Sequence, residues 1–450
     1  MNIVIIGGGK VGEILCQELA LENNDIVLIE TIPERLNRII SRTDITGLVG
    51  DGADYDILLA AGVAHCDMFI AVTPEDETNI ISSIIAKQLG AKYTIARVRN
   101  PKYTNHIEFV RESLGINMVI NPEMEAARYI SKGIQFPQSL SIEQFGKGRV
   151  NMVELEIKKG SRLANQSLNE FRAEFGDVLI CALTHAHQTE IPSGSTILRV
   201  GDRLHVTGAS EDLATFYLKA GYKEARIKSV LIIGGGRVTY YLLHLLNKLD
   251  IDIKVIEINA ERAMELSHKF PNVVVILGDG MDQELLAEER IGSFDAVLSL
   301  TGIDEENIIN SMYALSLGVG KVTTKISRTG LLKILGDTDL QAIVTPKRLI
   351  TSKILRFVRS LKNATASNVE ALIRIADDEV ETLQFLVKAS SRVIGRQLKD
   401  LKTKDNILIA YIIRGEQLIY PSGEDMILAN DRVLIVTMHK SFDDIDDILI

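Results

Sequence analysis

Apolar and polar positions follow two rhythms along this chain, and each rhythm occurs twice. Residues 2–6, 26–30, 45–50, 68–72, 93–97 and 117–120 are short apolar runs rich in Ile and Val. Such runs fit strands buried on both faces of a parallel sheet. Between them, stretches such as 10–22 and 75–89 carry apolar residues at helical spacing. Strand–helix alternation predicts βαβ units and a doubly wound, Rossmann-like parallel sheet. The rhythm returns at 228–233, 251–257, 273–278, 295–300, 321–325 and 340–344. One more helical stretch follows each sheet, with Pro122 and Pro346 in the first turn that proline favours. The period then changes. Residues 151–157 and 381–387 alternate apolar and polar, as half-buried strands do. Short helices at 167–174 and 396–401 follow, and further strands flank Pro-Ser-Gly turns at 192–194 and 421–423. Each predicts a small α+β domain.

The recurrence is also visible residue by residue. VIIGGGKVG (4–12) and LIIGGGRVT (231–239) share six of nine positions at an offset of 227, and Glu30 matches Glu257 at that offset. Asp51-Gly52 matches Asp279-Gly280, and TPEDETNI (73–80) matches TGIDEENI (301–308), at an offset of 228. KKGSRLANQSL (158–168) resembles KASSRVIGRQL (388–398), and Gly201-Asp202 matches Asn430-Asp431. A period this long is not a solenoid repeat. It marks internal duplication of a two-domain module. The fold expectation is α/β: two Rossmann-like doubly wound parallel sheets, each followed by a small α+β domain. The expected domains are 1–135, 140–222, 228–360 and 368–450. Linkers are expected near 135–148, 222–227 and 360–370, where Gly, Ser, Asn or charge collect.

Composition narrows the function classes. At roughly 100–200 residues per domain, 450 residues agree with several units. Acidic residues outnumber basic ones by 60 to 50, a net charge of −10, which argues against a nucleic-acid binder. Cys16, Cys66 and Cys181 are odd in number and lack CxxC spacing, which excludes a disulfide scaffold and a four-cysteine zinc site. They read as packing residues of a reducing compartment. The opening MNIVIIGGGK lacks a signal peptide's basic segment, and no apolar run approaches the 18 residues of a membrane span. The expectation is a cytoplasmic protein that reaches a membrane only through a partner.

The chemistry concentrates at two loops. Gly7-Gly8-Gly9-Lys10-Val11-Gly12 is GxGxxG between a strand and a helix, with Glu30 at the end of the next strand. In that context the motif is a dinucleotide fingerprint. Gly7 permits the tight turn, Gly9 lets backbone approach a pyrophosphate, and Gly12 permits close helix–strand packing. The helix opening at Lys10 and Val11 offers amide donors and the positive dipole end. Glu30 would accept from ribose hydroxyls and repel a 2′-phosphate, favouring NAD(H) over NADP(H). Arg35 would soften that repulsion, but the expectation places it on a solvated helix face. The competing reading is a plain glycine turn with a surface glutamate.

The second loop keeps Gly234, Gly236 and Glu257 but has Thr239 where the third glycine stands. Thr needs more room, so the packing must differ. Either an adenine nucleotide still binds or the copy is ligand-free. Lys10 and Arg237 take matching places at the helix starts, as phosphate ligands or as exposed cations. Asp51 and Asp279 end the third strands, where each would meet adenine or ribose or cap the next helix. Thr73 and Thr301 end the fourth strands at the ligand crevice. Arg97 and Lys325 end the fifth, facing phosphate or solvent.

A dehydrogenase needs an acid–base group beside the nicotinamide. No Tyr here has Lys four residues on, no P-loop GxxxxGK[ST] occurs, and no pair of His, Cys or carboxylates recurs in both small domains. His185 and His187 share strand spacing suited to a metal, but Arg414 and Glu416 replace them in the second copy and no third ligand is evident. No catalytic or metal residue is assigned. Nucleotide loops without catalytic machinery suggest a sensor whose ligand shifts a conformational equilibrium. The alternatives are an NAD-dependent oxidoreductase and a redox-sensing nucleic-acid regulator, for which no basic recognition helix is found.

The assembled motifs resemble those of the Trk-type potassium-uptake regulatory (TrkA) family, which carries tandem RCK/KTN domains. The resemblance rests on GGGKVG (7–12) with Glu30, VGDG (49–52), AVTPEDETN (71–79) and AR (96–97). IIGGGRV (232–238), LGDG (277–280), LTGIDEEN (300–307) and IPSG (191–194) add to it. It implies a cytosolic, tetrameric subunit that gates an integral-membrane potassium transporter of the TrkH/TrkG kind and responds to NAD(H) and to ATP or ADP. It also implies a first nucleotide site of Gly7, Gly9, Gly12, Glu30, Asp51, Thr73 and Arg97. The second would be Gly234, Gly236, Glu257, Asp279, Thr301 and Lys325. Lys10 and Arg237 match the family's loop cation, which reaches phosphate across a domain pair. Thr239 departs from the pattern.

Overall fold

A computed structural model of the chain describes residues 1–22, 24–104, 113–137, 139, 141–146, 149–186, 188–222, 227–247, 249–328, 330–331, 340, 342–364, 369–376, 379–440 and 442–450. In chain order the first parallel strands are β1 (Asn2–Ile6), β2 (Asp25–Glu30), β3 (Thr46–Val49), β4 (Met68–Ala71), β5 (Tyr93–Arg97) and β6 (Met118–Ile120). Next come β7 (Ser141–Phe145), β8 (Val150–Glu156), β9 (Leu179–His185), β10 (Gln188–Glu190) and β11 (Arg203–Gly208). The second parallel set is β12 (Ser229–Ile233), β13 (Asp252–Glu257), β14 (Val274–Leu277), β15 (Ala296–Ser299), β16 (Lys321–Lys325) and β17 (Ala342–Val344). The chain ends with β18 (Val369–Ile375), β19 (Val380–Leu386), β20 (Ile407–Arg414), β21 (Gln417–Ile419) and β22 (Arg432–Thr437).

The chain forms two compact units. Met1–Ser131 joins Lys228–Leu355, and Lys132–Ile227 joins Arg356–Ile450. The first unit holds two sheets of order β3-β2-β1-β4-β5-β6 and β14-β13-β12-β15-β16-β17. Their pairs are parallel, as in Ile3↔Ile26 and Val230↔Ile253. This is the doubly wound order with its switch point between the first and fourth strands of each set. The expected parallel strands all form, because Ile3, Ile5, Leu28, Phe69 and Ile70 have no polar side to turn outward and are fully buried. The helix Lys10–Ala20 buries Leu15, Cys16 and Leu19 at helical spacing against this sheet. Burial of this kind contributes about 1.5–3 kcal/mol per side chain.

The second unit holds two antiparallel sheets, β10-β9-β11-β8-β7 and β18-β19-β22-β20-β21. With β7 equated to β18 and β11 to β22, the two orders are the same topology, so the duplication extends through the small domains. Their apolar faces share one cluster containing Phe145, Met152, Cys181, Val380, Tyr411 and Val436. Buried Thr207 donates to the Tyr411 hydroxyl at 3.4 Å within it.

Two expectations change. The linker expected near 135–148 contains β7, and β18 begins within the one expected near 360–370. Most of the linker at 222–227 lies outside the described residues. The helix expected at 167–174 forms as Leu168–Phe175, held by a reciprocal Ser167–Glu170 capping box. Its counterpart at 396–401 shrinks to a single 3-10 turn, Leu398–Asp400, because Gln397 stands in place of the serine and makes no cap bond.

Candidate functional site

A cavity of about 520 Å³ opens at the C-terminal ends of β1, β2, β4 and β5. That volume lies within the roughly 300–1,000 Å³ of small-molecule sites. Gly7, Gly9, Lys10, Val11, Glu30, Asp51, Thr73 and Arg97 all line it. Gly12 lies behind the wall, where it sets the distance between helix and loop.

Each glycine has a distinct reason. Gly7 has φ +94°, and a Cβ there would sit 2.9 Å from the Thr73 nitrogen. Its N–H donates to Ile29 O at 2.9 Å, which ties the turn to β2. A Cβ on Gly9 would meet nothing within 4 Å, so the backbone there is open to a ligand. A Cβ on Gly12 would lie 2.0 Å from Gly7 O. The second loop repeats the turn, with Gly234 at φ +101°. There the extra room is put to use. The Thr239 hydroxyl, fully buried, donates to Gly234 O at 2.5 Å.

Glu30 is 4% exposed. Its carboxylate accepts from Gly8 N at 2.6 Å and Ile32 N at 3.0 Å. Burial pushes its pKa up, but those two amides and the Arg35 guanidinium outweigh burial and hold it below the usual carboxylate range. Arg35 corrects an expectation. Its side chain is not on a solvated face; it turns back to Glu30, 3.3 Å from both oxygens, and lines the cavity. Its helix starts at Pro33, one turn after the strand, which leaves the guanidinium within reach. Glu257 keeps the same backbone partners, Gly235 N at 2.5 Å and Asn259 N at 2.8 Å. Arg262, the counterpart of Arg35, instead donates to Gly235 O at 2.8 Å and pairs with Glu265.

The aspartates at the third strands do not cap helices. Asp51 accepts from Ala53 N and Asp279 from Met281 N, both at 2.9 Å. The caps are Asp54 and Asp282, which accept from the first helical amides. Asp51 and Asp279 are exposed. Thr73 and Thr301 are held by two residues not singled out from the sequence. Asn79, fully buried, accepts from Thr73 N at 2.8 Å and donates to Thr73 O and to Arg97 O. Asn307 does the same for Thr301 and Lys325. Asp76 accepts from Arg99 N and Asn100 N, as Asp304 does from Ser327 N and Arg328 N. Both pairs stand in the matched TPEDETNI and TGIDEENI segments, and their recurrence was the available signal.

Arg97 and Lys325 are not surface cations. Arg97 donates to Val72 O at 3.5 Å, and its Nε, buried, has no partner. Burial, then neighbouring Arg99, lowers its pKa, against the opposing charges of Glu123 and Asp76. Lys325 donates to Leu300 O at 3.3 Å and is likewise lowered by burial. Lys10 and Arg237 are exposed at the first turns of their helices. Lys347, at the start of the helix Pro346–Ala364 in the second nucleotide domain, also lines the first cavity. Sequence gave no hint of it, because only the fold brings it there.

His187 lies outside the described residues. His185 Nδ1 lies 2.5 Å from buried Asp202, and Arg414 binds Asp431 in the same place of the second copy. The pairing serves the sheet. Among the described residues no cluster of His, Cys, Asp and Glu could hold a metal ion. Burial raises the thiols of Cys16 and Cys66 to about 12 and that of Cys181 further, so all three are inert packing groups.

Residues 3–122 and 230–346 match the TrkA-N domain family, and residues 152–221 and 383–449 match the TrkA-C domain family. The chain belongs to the TrkA family. A Trk system potassium uptake protein TrkA homolog from Archaeoglobus fulgidus is 30% identical over 448 residues, covering 100% of both chains. The Trk system potassium uptake protein TrkA of Vibrio alginolyticus is 30% identical over 447 residues, covering 98% of this chain and 97% of its own. Among solved structures, the GsuK channel bound to NAD matches with a TM-score of 0.62 at 16% identity, over 97% of this chain and 76% of that one. That likeness is one of fold. Among the described residues of this TrkA-family chain, no helix is long and apolar enough to cross a membrane.

Proposed function

We propose that this TrkA-family protein is the nucleotide-responsive regulatory subunit of a membrane potassium-uptake transporter. The observation that carries the nucleotide part is one cavity holding the glycine loop, the Lys10 helix start, Glu30 and Arg97. An adenosine ribose fits beside Glu30 when its hydroxyls replace the longer contacts that the carboxylate accepts from Thr31 and Arg35, leaving those from Gly8 and Ile32 in place. A pyrophosphate fits over Gly9, against the amides that open the helix. NAD(H) is the favoured ligand, with ATP or ADP as further ones. The GsuK channel has been solved with NAD on the same fold.

The proposed first site is Gly7, Gly9, Lys10, Val11, Gly12, Glu30, Asp51, Thr73 and Arg97. The proposed second site is Gly234, Gly236, Arg237, Glu257, Asp279, Thr301 and Lys325, in which Thr239 fixes the loop by a bond that glycine does not make. The proposed modules are 1–135, 140–222, 228–360 and 368–450. The partner is an integral-membrane transporter of the TrkH/TrkG type, contacted by a cytoplasmic homotetramer peripheral to the inner face of the membrane. No catalysis is assigned. The described lining residues include no His, Tyr or Cys to act as an acid–base group beside a nicotinamide, and the relatives lend the dehydrogenase alternative no support.

Calorimetric titration of the full chain with NADH, NAD, ATP and ADP tests the reading, with Glu30→Ala as comparison. Saturable binding that Glu30→Ala weakens supports it. Binding of none of the four overturns it.

A further inference from the structure

The first cavity is built by both nucleotide domains. Glu30 ends β2, on one side of β1, and Arg97 ends β5, beyond β4 on the other. A nucleotide with its ribose at Glu30 and its first phosphates at the glycine loop therefore points its far end toward Arg97. There the wall gains Lys347 from the second nucleotide domain, so Lys10, Arg97 and Lys347 face one cavity. Lys10 and Arg97 are close enough to oppose the charge on Lys347, with Asp304 as its nearby carboxylate. The Arg97 Nε is buried without a partner. Converging cations with an unused buried donor are a site for an anion, since an anion relieves both the repulsion and the missing hydrogen bond. The equivalent position in the first copy, one residue after Pro122, is Glu123. The duplication has thus put opposite charges at this place.

We propose that Lys347 is a specificity-determining residue of the first site: it binds the terminal phosphates of a nucleoside triphosphate and so links that ligand to the second nucleotide domain. The inference rests on the nucleotide reading of the same cavity. A dinucleotide places its second phosphate where a triphosphate places its β-phosphate, and a neutral ribose where the triphosphate places its γ-phosphate. NADH therefore gains little from Lys347, while ATP gains a charge-assisted hydrogen bond. Because Lys347 belongs to the other domain, ATP bridges the two domains, and NADH leaves that bridge unmade.

The test is calorimetry of the full chain with ATP and with NADH, without divalent cations, for the native protein, Lys347→Met, Lys347→Arg and Glu30→Ala. Thermal melts of each variant report folding. Lys347→Met is expected to weaken ATP at least about tenfold and NADH less than about threefold. Lys347→Arg is expected to recover most of the ATP affinity, which a merely structural lysine would not predict. Equal losses for both ligands, or unchanged ATP affinity in Lys347→Met while Glu30→Ala abolishes it, would overturn the role of Lys347 and leave the nucleotide site standing. A native chain that binds neither ligand overturns both.

Discussion

Single residues show how the copies solved one packing problem differently. Gly12 lies against Gly7 O, and Thr239 lies against Gly234 O. Gly12→Ala would place a methyl 2.0 Å from that oxygen. It should cost about 1–3 kcal/mol by overpacking and weaken NADH in calorimetry by displacing the helix start. Thr239→Val keeps the volume but takes the donor from the half-buried Gly234 carbonyl, and should cost about 1 kcal/mol in urea unfolding. Equal stability of Thr239→Val and the native chain would show that the bond is not needed. Glu30 supplies a pH signature. Its folded pKa is depressed, so its stabilisation is present above the ordinary carboxylate range and is lost as pH falls through that range and below it. Glu30→Gln should flatten the acid limb of a stability–pH curve below about pH 4.5. An unchanged limb would mean that other carboxylates carry the acid sensitivity.

The parallel strands were legible at the level of elements because they are buried on both faces and read as unbroken Ile/Val runs. The glycine loop and Glu30 were legible because their spacing is fixed by the turn itself. β7 and β18 were not, since each is an edge strand paired on one side only, and polar residues such as Glu143 and Glu370 interrupt the pattern that linkers also show. The place of Arg35 is not legible, because helical phase alone does not say that a long side chain folds back over its own helix N-terminus. The role of Asn79 is not legible either, because it acts through backbone groups at the ends of two separate strands. Asn79→Ala removes the partners of Thr73 N and Arg97 O together. At about 1–3 kcal/mol for each buried group left unsatisfied, it should lower the melting temperature by several degrees and weaken nucleotide binding. A variant with native stability and affinity would show that water replaces the side chain.

At the scale of the whole molecule, duplication produced two like domains that meet through unlike residues. In the first unit the Tyr241 hydroxyl, on the helix Arg237–Leu246, donates to Arg99 O at 2.8 Å and accepts from Asn121 Nδ2 at 3.0 Å. Lys353 pairs with Glu125 at 2.6 Å across the same domain pair. At an offset of 227 the first copy has Ile14 in place of Tyr241 and cannot return the contact. The bond therefore connects the second glycine-loop helix to the strand end two residues beyond Arg97, in one direction only. A ligand that pulls on Arg97 is expected to act on this contact, and coupling of this kind typically amounts to about 1–3 kcal/mol. Tyr241→Phe keeps the ring in its buried place and removes only the hydroxyl. It should leave NADH affinity within a few-fold of native. Nucleotide is expected to slow hydrogen exchange in the native helix Arg237–Leu246, read by mass spectrometry, and Tyr241→Phe to abolish that slowing. If the variant still transmits full protection from the first site to that helix, the signal travels by another contact, and Lys347 is the next residue to remove.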